Sequence, residues 1–405
     1  LNFFLLPNKI KQQKNIIFCY HKSSIIENHS IYIHLMNLKS NFGIIIDRAI
    51  NELRTGRPIA INDGVDYWLF FNVEHSQKKI LNQFESYLDK KKYLLITKQK
   101  AKNSFNSNFT SNIYYEIEDK TLNKTFINFF INPISGEHKF IFKDIVIHKS
   151  REFHDVCLEL SKNAKMIPAL IFKKISKKNY RNIDKLFLKL GLLEFYYKDL
   201  KNQNKHISNS IKLVSKANVP LPNVESTTFN IFKSYIGSRK HIAVIIKPES
   251  IKKTTNLRIH SSCFTGDIFH SEKCDCGEQL NDSIKYMINN GGGVILYLDQ
   301  EGRGIGLANK MRAYSLQSRG LDTIDADNNI GFLDDERDFA VATKILNLLK
   351  IKQVNVITNN FSKMASLKKA GIKVIKQINT KPTINKFNKN YFETRYKKTG
   401  YDFKI

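Results

Sequence analysis

Long apolar runs are missing from this sequence of 405 residues. No segment reaches the roughly 18 consecutive apolar residues of a membrane-spanning helix. The opening, Leu1 to Ile17, lacks the basic start, apolar stretch and small-residue cleavage site of a secretory signal. Both absences point to a soluble, cytoplasmic protein with no membrane partner. The first residue is Leu rather than Met, so the natural start is expected to lie elsewhere. Acidic residues are scarce, 37 Asp and Glu against 65 Lys and Arg, which leaves a formal charge of +28. Such a balance suits anionic partners. Here it follows a general enrichment in Lys, Asn and Ile, as adenine- and thymine-rich genes produce, and no basic–aromatic module marks a specific nucleic-acid interface. No internal repeat is visible. A hydrophobic content of 42% is that of a globular protein, and the length suffices for two or three domains.

Cysteine is equally sparse, and its distribution is informative. Of five cysteines, Cys19 and Cys157 stand alone, whereas Cys263, Cys274 and Cys276 fall within fourteen positions. An odd count and a tight cluster argue for a metal rather than a disulfide framework. The spacing C-x10-C-x-C is not that of a zinc finger, which pairs cysteines two to four residues apart and supplies four ligands. Three thiolates leave one tetrahedral position for water, as in a catalytic zinc site; His270 could instead close the site as a structural one.

Residues 1–40 are rich in Asn, Lys and His without clear period and are expected to be a polar extension. Helical periodicity at Ile46–Leu53 and Glu152–Ala164 alternates with strand-like runs at Ile59–Ile61, Tyr93–Thr97 and Ala169–Phe172. A charged helical segment, Tyr180–Leu192, leads into a Lys/Asn/Ser-rich stretch over 201–217. The expected division is therefore an extension over 1–40, a first domain over 41–205, a linker over 206–224 and a second domain over 225–405. In the second domain, strands at Thr228–Ser234, His241–Ile246, Gly293–Leu298 and Val354–Ile357 alternate with helices at Leu280–Ile288, Leu307–Ser318 and Arg337–Leu349. The fold class expected is α+β, two mixed α/β domains in tandem. Gln300-Glu301-Gly302-Arg303-Gly304-Ile305-Gly306 joins a strand to a helix, and its glycines permit close approach of backbone to a ligand. It is neither a Walker loop nor a dinucleotide fingerprint.

The runs Arg258-Ile259-His260-Ser261-Ser262-Cys263-Phe264-Thr265-Gly266-Asp267, Cys274-Asp275-Cys276-Gly277-Glu278-Gln279, Gln300 to Gly306, Lys310 to Tyr314, Asp322-Thr323, Gly331 to Phe339 and Thr358-Asn359-Asn360 together resemble GTP cyclohydrolase II, in that family's order, over about residues 225–400. The resemblance implies a riboflavin-pathway enzyme that opens the imidazole ring of GTP, releasing formate and pyrophosphate and leaving 2,5-diamino-6-(5-phosphoribosylamino)pyrimidin-4-one. It implies zinc on Cys263, Cys274 and Cys276, whose activated water attacks C8 of guanine, and Mg2+ travelling with the triphosphate. Tyr314, Asp335 and Arg337 match the catalytic residues: a proton-transferring tyrosine, a proton acceptor and a nucleophile toward the α-phosphate. A guanidinium is a poor nucleophile, so holding phosphate is the physically safer role for Arg337. Contacts to GTP carry over to Arg258, Ile259, His260, Ser261, Ser262, Gln279, Glu301, Gly302, Arg303, Thr323, Thr358 and Lys363, with Glu301 expected to read the guanine edge.

Three positions depart from the family pattern: Ser262 replaces Glu, Lys273 replaces Arg and Asp299 replaces Arg. They motivate a competing reading, a non-catalytic GTP-binding regulatory protein. The first half, around Gly56-Arg57-Pro58-Ile59-Ala60-Ile61 and Glu152–Ile175, is similar to 3,4-dihydroxy-2-butanone-4-phosphate synthase, a domain often fused ahead of GTP cyclohydrolase II. Its acidic loop reads Asn62-Asp63-Gly64-Val65-Asp66-Tyr67-Trp68-Leu69-Phe70, Phe153 takes the place of a metal-ligating histidine, and Lys173-Lys174 that of Cys-Glu. Without those ligands the half is expected to be inactive as a synthase, serving as scaffold, dimerisation surface or regulator. A homodimer is the expected assembly.

Overall fold

The computed structural model describes residues 42–75, 81–118, 123–131, 145–251, 253–381, 383–389 and 392–393. The extension over 1–40, with Cys19, lies outside the described residues. Two seven-stranded mixed sheets organise the described residues, and those from Gly43 onward fall in one compact unit. The first sheet contains β1 (Ile59–Asn62), β2 (Tyr67–Asn72), β3 (Leu88–Ile96), β4 (Ile113–Glu116), β5 (Ile147–Lys149), β6 (Ala169–Ile175) and β7 (Glu194–Tyr196), in the order β5-β4-β3-β6-β2-β1-β7. All its pairings are antiparallel except β1 with β7. Both faces are covered. Leu69 and Phe71 enter one core and Phe70 the other, and Leu94 and Ile96 part from Leu95 in the same way. That period-2 division explains why these strands read as unbroken apolar runs.

The second sheet contains β8 (Lys212–Asn218), β9 (Thr227–Lys233), β10 (Lys240–Ile246), β11 (Thr255–Ser261), β12 (Gly293–Leu298), β13 (Gln353–Ile357) and β14 (Lys373–Ile378), in the order β14-β13-β11-β12-β10-β9-β8. β12, β11, β13 and β14 run parallel; β10, β9 and β8 are antiparallel. Helices Cys276–Asn289 and Ala340–Leu348 pack on opposite faces, Met287 in one core and Ile345 and Leu346 in the other.

Two segments differ from their expected form. The stretch expected as a linker holds the end of helix Gln203–Asn209 and all of β8, an exposed edge strand paired to β9. Its Lys, Ser and Asn side chains face solvent, so no apolar alternation announced it. The acidic loop expected over 62–70 is a tight hairpin turn. Asp63 N donates to Asp66 O at 3.1 Å, Gly64 takes a φ of +97°, and β2 begins at Tyr67. The helix expected from Arg337 starts at Ala340, which leaves Asp335 and Arg337 on a loop.

Candidate active site

β11 ends at Ser261, and Cys263 follows two residues on. The chain turns through the short helix Phe264–Asp267 and returns with Cys274 and Cys276, the latter opening helix Cys276–Asn289. The three Sγ atoms lie within 4.8 Å of one another, and those of Cys263 and Cys274 are 3.6 Å apart. Thiolates sharing a tetrahedral zinc at about 2.3 Å stand about 3.8 Å apart, so the triangle fits that ion. The turn is built around it: a Cβ at Gly266 would come within 2.9 Å of the Cys274 sulfur and 3.1 Å of that of Cys263. Hydrogen bonds from the Cys274 and Cys276 thiols, with Lys310 alongside, hold the Cys263 thiol far below its usual pKa. His270 is exposed and stands outside the group, which among the described residues consists of the three thiols.

Two residues without an assigned role organise this centre. Asp267 accepts from Cys263 N at 2.9 Å and from the Tyr297 hydroxyl at 2.8 Å, and lies 3.1 Å from His260 Nε2. Lys310 Nζ donates to Glu301 Oε1 at 2.8 Å, Thr265 Oγ1 at 3.0 Å and Cys263 Sγ at 3.1 Å. Both occur inside the family-like runs, but nothing in their spacing sets them apart from helical surface residues.

A cleft opens beside the thiols at the carboxyl ends of the parallel strands, the usual ligand position of such sheets. Cys263, Cys274, Cys276, Arg258, His260, Ser261, Ser262, Gln279, Glu301, Gly302, Arg303, Tyr314, Thr323, Arg337 and Lys363 all line it. Alternation along β11 decides which of its residues do so: Arg258 and His260 face the cleft, whereas the Ile259 side chain is buried in the core with Leu257 and Val356. Ile259 participates through its carbonyl, which accepts from Lys363 Nζ at 2.7 Å. Thr358 is buried outside the lining, its hydroxyl accepting from Asn360 N at 3.0 Å. Asp335 lies behind the lining and grips Arg337 with both oxygens, at 2.8 Å from Nε and 2.6 Å from Nη2. Burial alone would raise the Asp335 pKa, but Arg337 outweighs it and holds the carboxyl below its usual range. Such a carboxylate is a weak proton acceptor and a strong clamp, and the clamped guanidinium stays cationic.

Glu301, the expected base reader, is already engaged. Besides Lys310 it accepts from Phe264 N at 2.6 Å and Gly302 N at 3.1 Å. Asp327, absent from the sequence-derived set, also lines the cleft and is buried, with no hydrogen bond or ion pair to its carboxyl among the described residues. Burial pushes its pKa up to about 7, against the pull of Arg303. Lys273, one of the departures, sits 4.9 Å from the Tyr314 ring centroid, and Lys310 sits 5.5 Å from it.

The model of the GTP cyclohydrolase II family matches residues 212–379. A GTP cyclohydrolase-2 of Vibrio parahaemolyticus is 45% identical over 175 residues, which cover 43% of this chain and 88% of that protein. The chain belongs to the GTP cyclohydrolase II family. The riboflavin biosynthesis protein RibBA of Staphylococcus saprophyticus is 43% identical over 211 residues, 52% of this chain and 53% of that protein. With such longer relatives the chain shares about half of their length. A solved two-domain 3,4-dihydroxy-2-butanone 4-phosphate synthase from A. baumannii, RibBX, superposes with a TM-score of 0.31 at 13% identity, covering 83% of this chain and 99% of that one. The family match begins at the first residue of β8, ahead of the start at 225 expected from the motifs. No helix among the described residues is long and apolar enough to cross a membrane.

Proposed function

We propose that this member of the GTP cyclohydrolase II family is an active, zinc-dependent enzyme that opens GTP to the diaminopyrimidine, formate and pyrophosphate, as the first step toward riboflavin. The observation that carries the reading is the convergence of three thiols, Tyr314 and the Asp335-clamped Arg337 on one cleft. Zinc on Cys263, Cys274 and Cys276 would supply a Lewis acid that makes water nucleophilic near neutral pH. Arg303, Arg337 and Lys363 hold the phosphates, with Mg2+ accompanying them. Thr323 and the buried Asp327 face the base; an ionised Asp327 would accept from N1–H and the N2 amino group of guanine. Tyr314, with the ammonium groups of Lys273 and Lys310 near its ring, would pass a proton beside the three thiols. The geometry favours a holding role for Arg337 over a nucleophilic one, and a clamping role for Asp335 over a basic one.

The non-catalytic reading loses its motive at Lys273, which keeps a cation over Tyr314. The first half is proposed to be inactive as a synthase. Around its acid-poor turn, Asp63 is spent on Val65 N, Asp66 N and the Trp68 indole, and Asp66 on Lys174 and Tyr180. Trp68, which follows that turn, packs with Phe153, Phe172 and His154 in an aromatic cluster.

The full chain with GTP and Mg2+ is expected to release formate and the diaminopyrimidine in proportion to its zinc content, and Cys274→Ser to lose metal and turnover together. A zinc-loaded sample that binds GTP without releasing formate would refute the enzymatic reading in favour of the regulatory one.

A further inference from the structure

The end of helix Glu152–Asn163 and the turn after it belong to the first sheet's layer, yet two lysines there reach the loops that carry the cleft's arginines. Lys162 Nζ pairs with Glu336 at 2.5 Å. Glu336 is a knot between two segments: its backbone N donates to Arg303 O at 3.0 Å, and its carboxylate accepts from Leu333 N at 2.9 Å. Lys165 donates to the Gly304 carbonyl, and its own carbonyl accepts from Asn309 Nδ2 at 3.1 Å, on the helix that bears Lys310 and Tyr314. Its stem packs on Gly306, where an added Cβ would meet Lys165 Cβ at 3.1 Å.

This contact is costly in ways that mere docking does not require. Lys165 holds a φ of +63°, a left-handed conformation that a side chain normally avoids. Its half-buried ammonium has the Gly304 carbonyl as its hydrogen-bond partner, and desolvation, with Arg239 and Arg54 nearby, drops its pKa to about 7 against the pull of Asp299 and Glu336. An apolar side chain would join two layers at lower cost. What the lysines do achieve is to fix Gly302–Gly306 and Leu333–Arg337 against each other, and with them the backbone positions of Arg303 and Arg337.

We propose that Lys162 and Lys165 are positioning residues of the GTP site, so that the first half is a working part of the second half's reaction. This rests on the GTP-opening reading. It assigns the synthase-like half a role that needs no chemistry of its own.

The test uses the full chain: wild type, Lys162→Met, Lys165→Met, Lys165→Arg, Lys162→Glu, and the charge swap K162E/E336K, with kcat, KM, zinc content and melting temperature measured on each. The two Met variants are expected to lose at least tenfold in kcat, with KM within about threefold and zinc content and melting temperature near wild type. Lys165→Arg, which keeps the donor, and the charge swap are expected to recover most of the losses of Lys165→Met and Lys162→Glu. Met variants that turn over GTP like an active wild type overturn the inference alone. So does a loss of rate that comes with loss of zinc, a large drop in melting temperature, or no recovery in the swap. A zinc-loaded wild type without turnover overturns the underlying reading.

Discussion

Gly304→Ala tests how closely the two arginine-bearing loops must approach. Gly304 has a φ of +98°, and a Cβ there would stand 2.9 Å from both the carbonyl carbon and oxygen of Glu336 and 3.2 Å from Arg337 N. The backbone conformation alone costs an alanine about 1–3 kcal/mol. The obstruction is main chain, so relief to an ordinary contact of about 3.5 Å requires the loops to part by roughly 0.6 Å. Displacements near 1 Å of positioned groups can cost about 100-fold in rate, so a loss of about 10- to 100-fold in formate release is expected. Zinc content should stay at wild-type level, because the thiols lie on other segments. Gly371→Ala is the control: its φ is +78°, with nothing within 4 Å of the added carbon. It should show the strain as lost stability and leave the rate alone. Turnover within threefold of wild type for Gly304→Ala would refute the idea that this approach sets the geometry of Arg303 and Arg337.

Asp327→Asn should raise the KM for GTP by about 10- to 100-fold, as expected when a hydrogen bond to a charged group worth about 1.5–3 kcal/mol is lost, and should narrow the preference for GTP over ITP, which lacks the N2 amino group; an unchanged preference would remove Asp327 from base recognition. Acid sensitivity follows from two buried histidines. Burial lowers the pKa of His154 to about 3 and of His241 to about 4, below the unfolded value of about 6.5. Their contribution is therefore present above pH 6.5 and is lost as pH falls toward those values, at about 1.4 kcal/mol per pH unit for each. Asp327, with a raised pKa, has the opposite sign and offsets part of this between pH 4 and 7. Urea midpoints should fall from pH 7 to pH 5, less so in His154→Phe; equal midpoints would count against neutral burial of these rings.

The sequence made the second half legible because its strands carry apolar runs and its site residues sit in dense, ordered runs around Cys263, Cys274 and Cys276. Reading stopped where a role depends on what faces a residue. Ile259 belonged to a site-like run, but strand alternation turns its side chain into the core. Glu301 had the right chemistry, but Lys310 and two backbone amides occupy it. Asp327 had no motif to mark it, since its significance comes from burial in a cleft wall assembled from distant segments. Composition hid β8, whose exposed edge needs no apolar face. The Lys162 and Lys165 contacts join residues more than 130 positions apart, a separation at which no local pattern survives.

β1 lies between β2 and β7, and its Ala60 is paired to Glu194. A ribosome adding about 5–20 residues per second reaches Glu194 roughly 7–27 s after Ala60. For that interval the apolar run Ile59-Ala60-Ile61 presents an open edge, the kind of surface that recruits other chains. Helix Phe42–Arg54, made before it, can cover a face of β1 but not that edge. The yield of the protein during synthesis should therefore depend on how fast translation proceeds to β7, apart from how stable the finished molecule is.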